Sequence, residues 1–325
     1  MKRHIFIGIA RAIAAGLLLF SLPAHAQTYP TKPVRIVAAA TGSMADMYAR
    51  HLGPRLNERW GQPVVVDNRA GAGGTISAEV AAKAPPDGYT LLMGGLATHA
   101  GSVSLYKNLP YDPVKDFAPI ALVAQSPPVL IAHPSVPAAN LREFLDYAKK
   151  RPGGINYSSA GTGTGAHLTA ALFILQAGID LVHVPYKGPA PALTAILGRE
   201  VQVSFIPVPI ALTQIKAGKV KAYAVTSTKR FAGVPDISTA AEAGLPGFEA
   251  TAWFGMFAPA RTPAALIGKL NREIVEILQM PALQAALLAQ GAEPAPGTPE
   301  EFAAFVKSEI VKWKKAAEVS GAQVD

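Results

Sequence analysis

The sequence predicts an α/β protein with two domains, each a mostly parallel sheet flanked by helices. Three observations predict it. Short apolar runs rich in Val, Ile and Leu alternate with helical patterns along most of the 325 residues. Glycine-bearing loops join several of these strands to the helices that follow them. The length suffices for two domains of ordinary size.

The first set begins with a strand at Val34–Ala38, broken by Thr41-Gly42-Ser43 and followed by a helix over Met44–Trp60. Gly53-Pro54 inside that helix predicts a kink or a split, because proline removes a backbone donor and crowds the preceding turn. Residues 63–66 form the next strand, residues 68–74 a glycine loop, and residues 75–84 a helix. Pro85-Pro86-Asp87-Gly88 is a turn by composition, and residues 90–93 a third strand. Two more strands follow at residues 117–124 and Pro128–Ala132. Asn140 with Glu143 reads as a capping box before the helix that carries Leu141, Phe144, Leu145 and Ala148.

A second β-α set starts at Ile155-Asn156-Tyr157. Helices are expected over residues 168–177, Pro189–Leu197 and 209–217, with strands at residues 181–184, 201–205 and 222–225. Residues 253–257 read as a returning strand. Three helices close the chain, at residues 263–278, 281–290 and Pro299–Ser320, each opening on proline. Phe302, Phe305, Ile310 and Trp313 give the last one an apolar stripe that packs on a domain face.

Composition narrows the function. The chain has no cysteine, which excludes disulfides, thiol catalysis and thiolate metal sites. The net charge is +8, with Lys2, Arg3 and Arg11 supplying three of the positive charges. The remaining basic residues are scattered, so the mild excess suits an acidic ligand and not a nucleic acid. Residues 1–26 read as an export signal: basic residues, an apolar core over residues 12–22, and Ala24-His25-Ala26 ahead of cleavage after Ala26. An uncleaved amphipathic start is the alternative. No later stretch is apolar for long enough to span a bilayer. The expected location is the periplasm.

The candidate site centres on the run from Ser158 through Ser159, Ala160, Gly161, Thr162, Gly163, Thr164, Gly165 and Ala166 to His167. It leaves a strand and enters a helix. Helix starts carry unpaired N–H groups and a partial positive charge, so such a loop holds an anion without a charged side chain. The alternative is a tight turn and nothing more. His167 either donates to a carboxylate or is packed and hydrogen-bonded. Thr98 follows the third strand, where ligands of open parallel sheets sit. Lys187, beside Tyr186, either adds charge at another strand end or faces solvent. Gly71-Ala72-Gly73-Gly74 lacks the Lys-Ser/Thr of a P-loop and the full dinucleotide spacing. Neither a nucleophile elbow nor a His-Glu-x-x-His pair is present, and the histidines are dispersed, so catalysis, metal binding and a cofactor are not expected.

Several phrases carry a family resemblance. They include Arg59-Trp60-Gly61-Gln62-Pro63, Asn68-Arg69-Ala70-Gly71-Ala72-Gly73-Gly74, Pro85-Pro86-Asp87-Gly88-Tyr89-Thr90, Leu109-Pro110-Tyr111-Asp112-Pro113, Val182-His183-Val184-Pro185-Tyr186-Lys187-Gly188, Ala243-Gly244-Leu245-Pro246-Gly247-Phe248 and Trp253-Phe254-Gly255. In this order, from about Tyr29 to the last helix, the chain resembles the periplasmic solute receptors of tripartite tricarboxylate transporters, also called Bug receptors. The resemblance implies a two-domain Venus flytrap. Residues 27–125 and 248–325 would form the first domain and residues 126–247 the second. It also implies a monomer that delivers a small organic acid to a membrane permease. A sensory receptor signalling to a membrane kinase, or an exported enzyme using the same cleft, are the alternatives.

In the family one carboxylate lies between two loops, which map here onto residues 40–46 and 158–167. Thr41, Gly42 and Ser43 are thus implied contacts, with Asp46 capping the helix. The sequence departs twice from the family pattern. The first loop lacks a Pro-Phe pair and one glycine. Ile206 stands where members that bind amino acids carry an Asp, and an apolar residue cannot neutralise a buried ammonium. The expected ligand therefore has no positive amine and has an apolar or aromatic body beside Ile206.

Overall fold

The computed structural model describes residues 29–320. The export signal and its cleavage after Ala26 lie outside the described residues. Two mixed sheets are built. The first has the order β11-β4-β10-β3-β1-β2, from strands β1 (Val34–Ala38), β2 (Val64–Asn68), β3 (Thr90–Gly95), β4 (Phe117–Ser126), β10 (Ala252–Pro259) and β11 (Glu293–Pro294). The second has the order β7-β6-β8-β5-β9, from β5 (Pro128–Ala132), β6 (Asn156–Ser159), β7 (Val182–Pro185), β8 (Val203–Pro207) and β9 (Lys221–Val225).

Only three strands of each sheet are mutually parallel: β2-β1-β3 in the first and β7-β6-β8 in the second. The others pair antiparallel, so the sheets are mixed and not mostly parallel. The reason lies in the chain crossings. Strand β4 ends at Ser126 and β5 starts at Pro128, so the chain changes sheet without a crossover helix. It returns to the first sheet in β10, which runs antiparallel between β3 and β4.

The helices are α1 (Met44–Trp60), α2 (Thr75–Ala82), α3 (Ser102–Leu105), α4 (Leu141–Lys149), α5 (Gly165–Ala177), α6 (Pro189–Leu197), α7 (Val208–Lys216), α8 (Ala264–Leu278), α9 (Pro281–Ala289) and α10 (Pro299–Ser320). Helix α1 is not split at Pro54. The proline ring faces solvent, where a carbonyl without its helical donor stays hydrated, and buried Tyr48, Leu52 and Leu56 anchor the opposite face. A π-helical turn at Leu96–Gly101 and the short strand β11 have no signature in the sequence. The Asn140 cap is present, with its Oδ1 accepting from the Glu143 N–H at 3.0 Å. The Glu143 carboxylate accepts from Ala139 N–H, one residue earlier than a standard capping box.

The last helix packs against elements of both sheets' layers. Phe302, Val306 and Trp313 are buried in one apolar cluster with Leu168 and Phe173 of α5 and with Trp253 and Phe257 of β10. The buried Glu309 carboxylate accepts from the indole N–H groups of Trp253 and Trp313 at 2.8 and 2.7 Å. Lys312 pairs with the same carboxylate and with Glu249, which keeps the buried charge from standing alone.

Candidate functional site

A cleft opens between the two sheets at the strand ends. It comprises two adjoining cavities of ≈ 200 and ≈ 380 Å³ that share Met44, Ala97, Ala160, Thr164, Pro189, Pro207 and Phe254. Residues from elements of both sheets therefore line one space. Among the described residues that line it, none carries a charge. Ile206 is on the wall, with Phe205 and Leu96.

Side chains of the first loop take two of its donors, and the Met44 and Ala45 N–H groups at the start of α1 have no acceptor within the helix. Ser43 caps α1, accepting the Asp46 N–H at 3.2 Å, and Asp46 accepts the Gly42 N–H at 2.9 Å. Asn68 Nδ2 donates to the same carboxylate at 2.9 Å, and Arg50 Nε lies 2.8 Å from it. Burial alone would raise the Asp46 pKa, but hydrogen bonds from Arg50, Gly42 and Asn68 outweigh it and hold the carboxyl below its ordinary value. Gly42 and Ser43 line the cleft, while Thr41 is exposed and does not.

In the second lobe the glycines turn the chain at φ +130° (Gly161) and +77° (Gly163), conformations that favour glycine. Their N–H groups are engaged inside the loop. Gly161 donates to Ser159 Oγ at 3.1 Å, and Gly163 to His167 Nδ1 at 3.1 Å. Ser159 is fully buried, with its Oγ 2.6 Å from His183 Nε2. The His167 and His183 rings stack at 3.9 Å with 8° between their planes, and Tyr157 stacks on His183 at 4.9 Å. Burial, and next the neighbouring His183, lower the His167 pKa to about 4, and burial lowers that of His183. Both rings are neutral at neutral pH and brace the loop from below.

The structure thus places Ser159, Gly161, Gly163 and His167 in a supporting network and not on the cleft wall. Thr162 and Lys187 are exposed, and neither lines the two cavities. Thr98 reaches the wall, but its Oγ1 accepts from the Gly95 N–H at 2.9 Å and contacts His99 Nδ1 at 2.9 Å. Ala160, Thr164 and Ile206 lie where a ligand would touch them.

The donors that remain open come one turn later than expected. Thr164 precedes α5 but does not cap it, because its hydroxyl donates to the Gly161 carbonyl at 2.7 Å. The first N–H groups of α5, at Gly165 and Ala166, have no acceptor within the helix, and both residues line the cleft. Gly165 and Ala166 stood in the sequence run but carry no side-chain signal. Met44, Pro189 and Phe254 were likewise not legible as wall residues.

The model of the tripartite tricarboxylate transporter family receptor matches residues 48–321. Protein BugT of Bordetella pertussis is 38% identical over 320 residues, covering 98% of this chain and 97% of that protein. A protein of R. palustris solved with adipate superposes with a TM-score of 0.80 at 35% identity, covering 91% of this chain and 100% of the other. MatC from Rhodopseudomonas palustris, with bound malate, gives 0.76 at 35% identity, covering 89% and 100%.

Proposed function

We propose that this chain, which belongs to the tripartite tricarboxylate transporter receptor family, captures a small organic acid in the periplasm and presents it to a membrane permease. Family members are carboxylate receptors, and two structural neighbours hold adipate and malate. One observation carries the reading here: the uncapped start of α5 points open N–H groups into an apolar cleft shared by both lobes. The proposed lobes are residues 27–125 with 248–325, and residues 126–247.

Binding draws the lobes together because a closed cleft makes more contacts with the ligand than an open one. The carboxylate sits at Gly165 and Ala166, flanked by Ala160 and Thr164. The rest of the ligand lies against Ile206, Met44 and Phe254. With no acid on the wall, an ammonium group has no partner there. Calorimetric titration tests this. Organic acids without an amine should bind stoichiometrically and be recovered unchanged, and aspartate and glutamate should not bind. Tight aspartate binding, or turnover of the acid, overturns it.

A further inference from the structure

We propose that the end of the second sheet opposite the cleft is a docking surface for an anionic lipid bilayer. Six exposed basic side chains make it: Lys149, Lys150, Arg151, Arg199, Lys216 and Lys219. This surface is separate from the carboxylate site and does not depend on it.

Topology gathers these residues. Strands β6, β7 and β8 run parallel, and β9 runs with them because β8 and β9 both pair antiparallel with β5. The ends of β6 and β8 lead to Ala160 and Pro207 on the cleft wall. The starts of the same strands, and the C-termini of α4, α6 and α7, therefore meet at the opposite end, and the six cations stand in the turns between them. Lys149 and Lys216 lie in the last turns of α4 and α7, where the free carbonyls favour a cation, which accounts for two of the six. The acids near this end are Asp146, Asp180 and Glu200, three against six. His133, which follows β5 here, feels the excess: burial, and next the charges of Arg199 and Lys221, lower its pKa.

The first sheet treats the matching end differently. There Lys32, Arg59 and Lys83 pair with Asp87, Glu276 and Glu79. Among the described residues none of the six has a carboxylate partner: Arg151 lies over the Tyr147 ring at 4.1 Å, and Glu200 accepts from the Tyr186 hydroxyl at 2.9 Å. The composition favours a bilayer over a protein. Four of the six are lysines, which are depleted in protein–protein interfaces, where arginine and aromatic residues concentrate. Between them the exposed surface is Pro152, Gly153, Gly154, Gly198, Ala217 and Gly218, small residues that give a partner protein little to pack against. Mobile head groups meet such point charges without a fixed geometry. Docked this way, the chain holds its cleft at the far end of the sheet, clear of the bilayer.

Vesicle sedimentation tests it. The exported protein should pellet with vesicles of equal parts phosphatidylcholine and phosphatidylglycerol and not with pure phosphatidylcholine, and added sodium chloride should release it. The triple variant Lys149→Gln, Lys150→Gln, Lys219→Gln should bind the mixed vesicles about a hundredfold more weakly, at about fivefold for each charge. The triple variant Lys83→Gln, Lys115→Gln, Lys269→Gln, which removes paired cations beside the first sheet, should stay within about threefold of wild type. Equal binding to the two kinds of vesicle, binding to neither, or equal losses in the two triple variants overturns the inference. Attachment to native membranes that protease treatment abolishes, with none to protein-free lipid, overturns it in favour of an acidic protein face. The carboxylate titrations use soluble protein alone, so a failure here leaves the receptor reading standing.

Discussion

Residues 40–46 and residues 158–167 face each other across the cleft and are made alike. Each leaves a parallel strand, turns through glycine at positive φ and enters a helix. Their ends differ. In the first, the residue three places after the Ser43 cap is Asp46, which turns back and takes the Gly42 N–H, while its own N–H is taken by Ser43. In the second, the corresponding residue is His167, which turns back as well but takes the Gly163 N–H, and the helix start stays open. The two loops thus differ in one cap, Ser43 on the third helical N–H of α1 and no side chain at that place in α5, and composition alone does not show it.

Four experiments probe that contrast. The largest effect is expected at Asp46→Ala, which strips an acceptor from Gly42, Asn68 and Arg50 together. Urea denaturation should show a loss of about 3 kcal/mol, and a loss below about 1 kcal/mol would mean that Asp46 does not seal the loop.

Acid should act on the other loop. The unfolded chain takes up the His167 proton near pH 6.5 and the folded chain only near 4. Stability is therefore fully present above pH 6.5 and declines as the pH falls toward 4, by on the order of 3 kcal/mol from this residue. His183, also lowered, acts in the same direction. Urea midpoints that stay level between pH 7 and about 4.5 would show that the stacked pair is not held neutral.

His167→Leu leaves the Gly163 N–H without its acceptor and should cut ligand affinity about tenfold, with His167→Asn recovering most of it because Oδ1 falls near the lost Nδ1. Equal losses in the two variants would point to packing and not to the hydrogen bond. The smallest effect belongs to Thr162→Ala, an exposed side chain, where the dissociation constant should stay within about twofold. A larger change would bring Thr162 back to the cleft.

Much of the fold was legible because apolar strands and glycine breaks are local signals. Strand β1 and helices α1 and α6 run over the very residues the pattern marks. The sheets' antiparallel halves were not legible, since pairing direction depends on how the chain crosses between lobes at Ser126 and Ala252. Pro54 misleads for a related reason: whether proline breaks a helix depends on which face it occupies. At the site, the sequence pointed to the loop and to Ile206. It did not show which donors the loop consumes, because Ser159 and His183 are 24 residues apart and meet only through the pairing of β6 with β7.

Helix α10 lies along α5, the element that presents the open N–H groups, and both belong to a single oily interior with β10 of the first sheet. The lobes are consequently not two beads on a double string. Heating should melt them as one cooperative unit, with a calorimetric enthalpy equal to the van't Hoff value. A chain cut before Pro299 should lose the second lobe's order along with the first, even though the cut removes no residue of the second sheet.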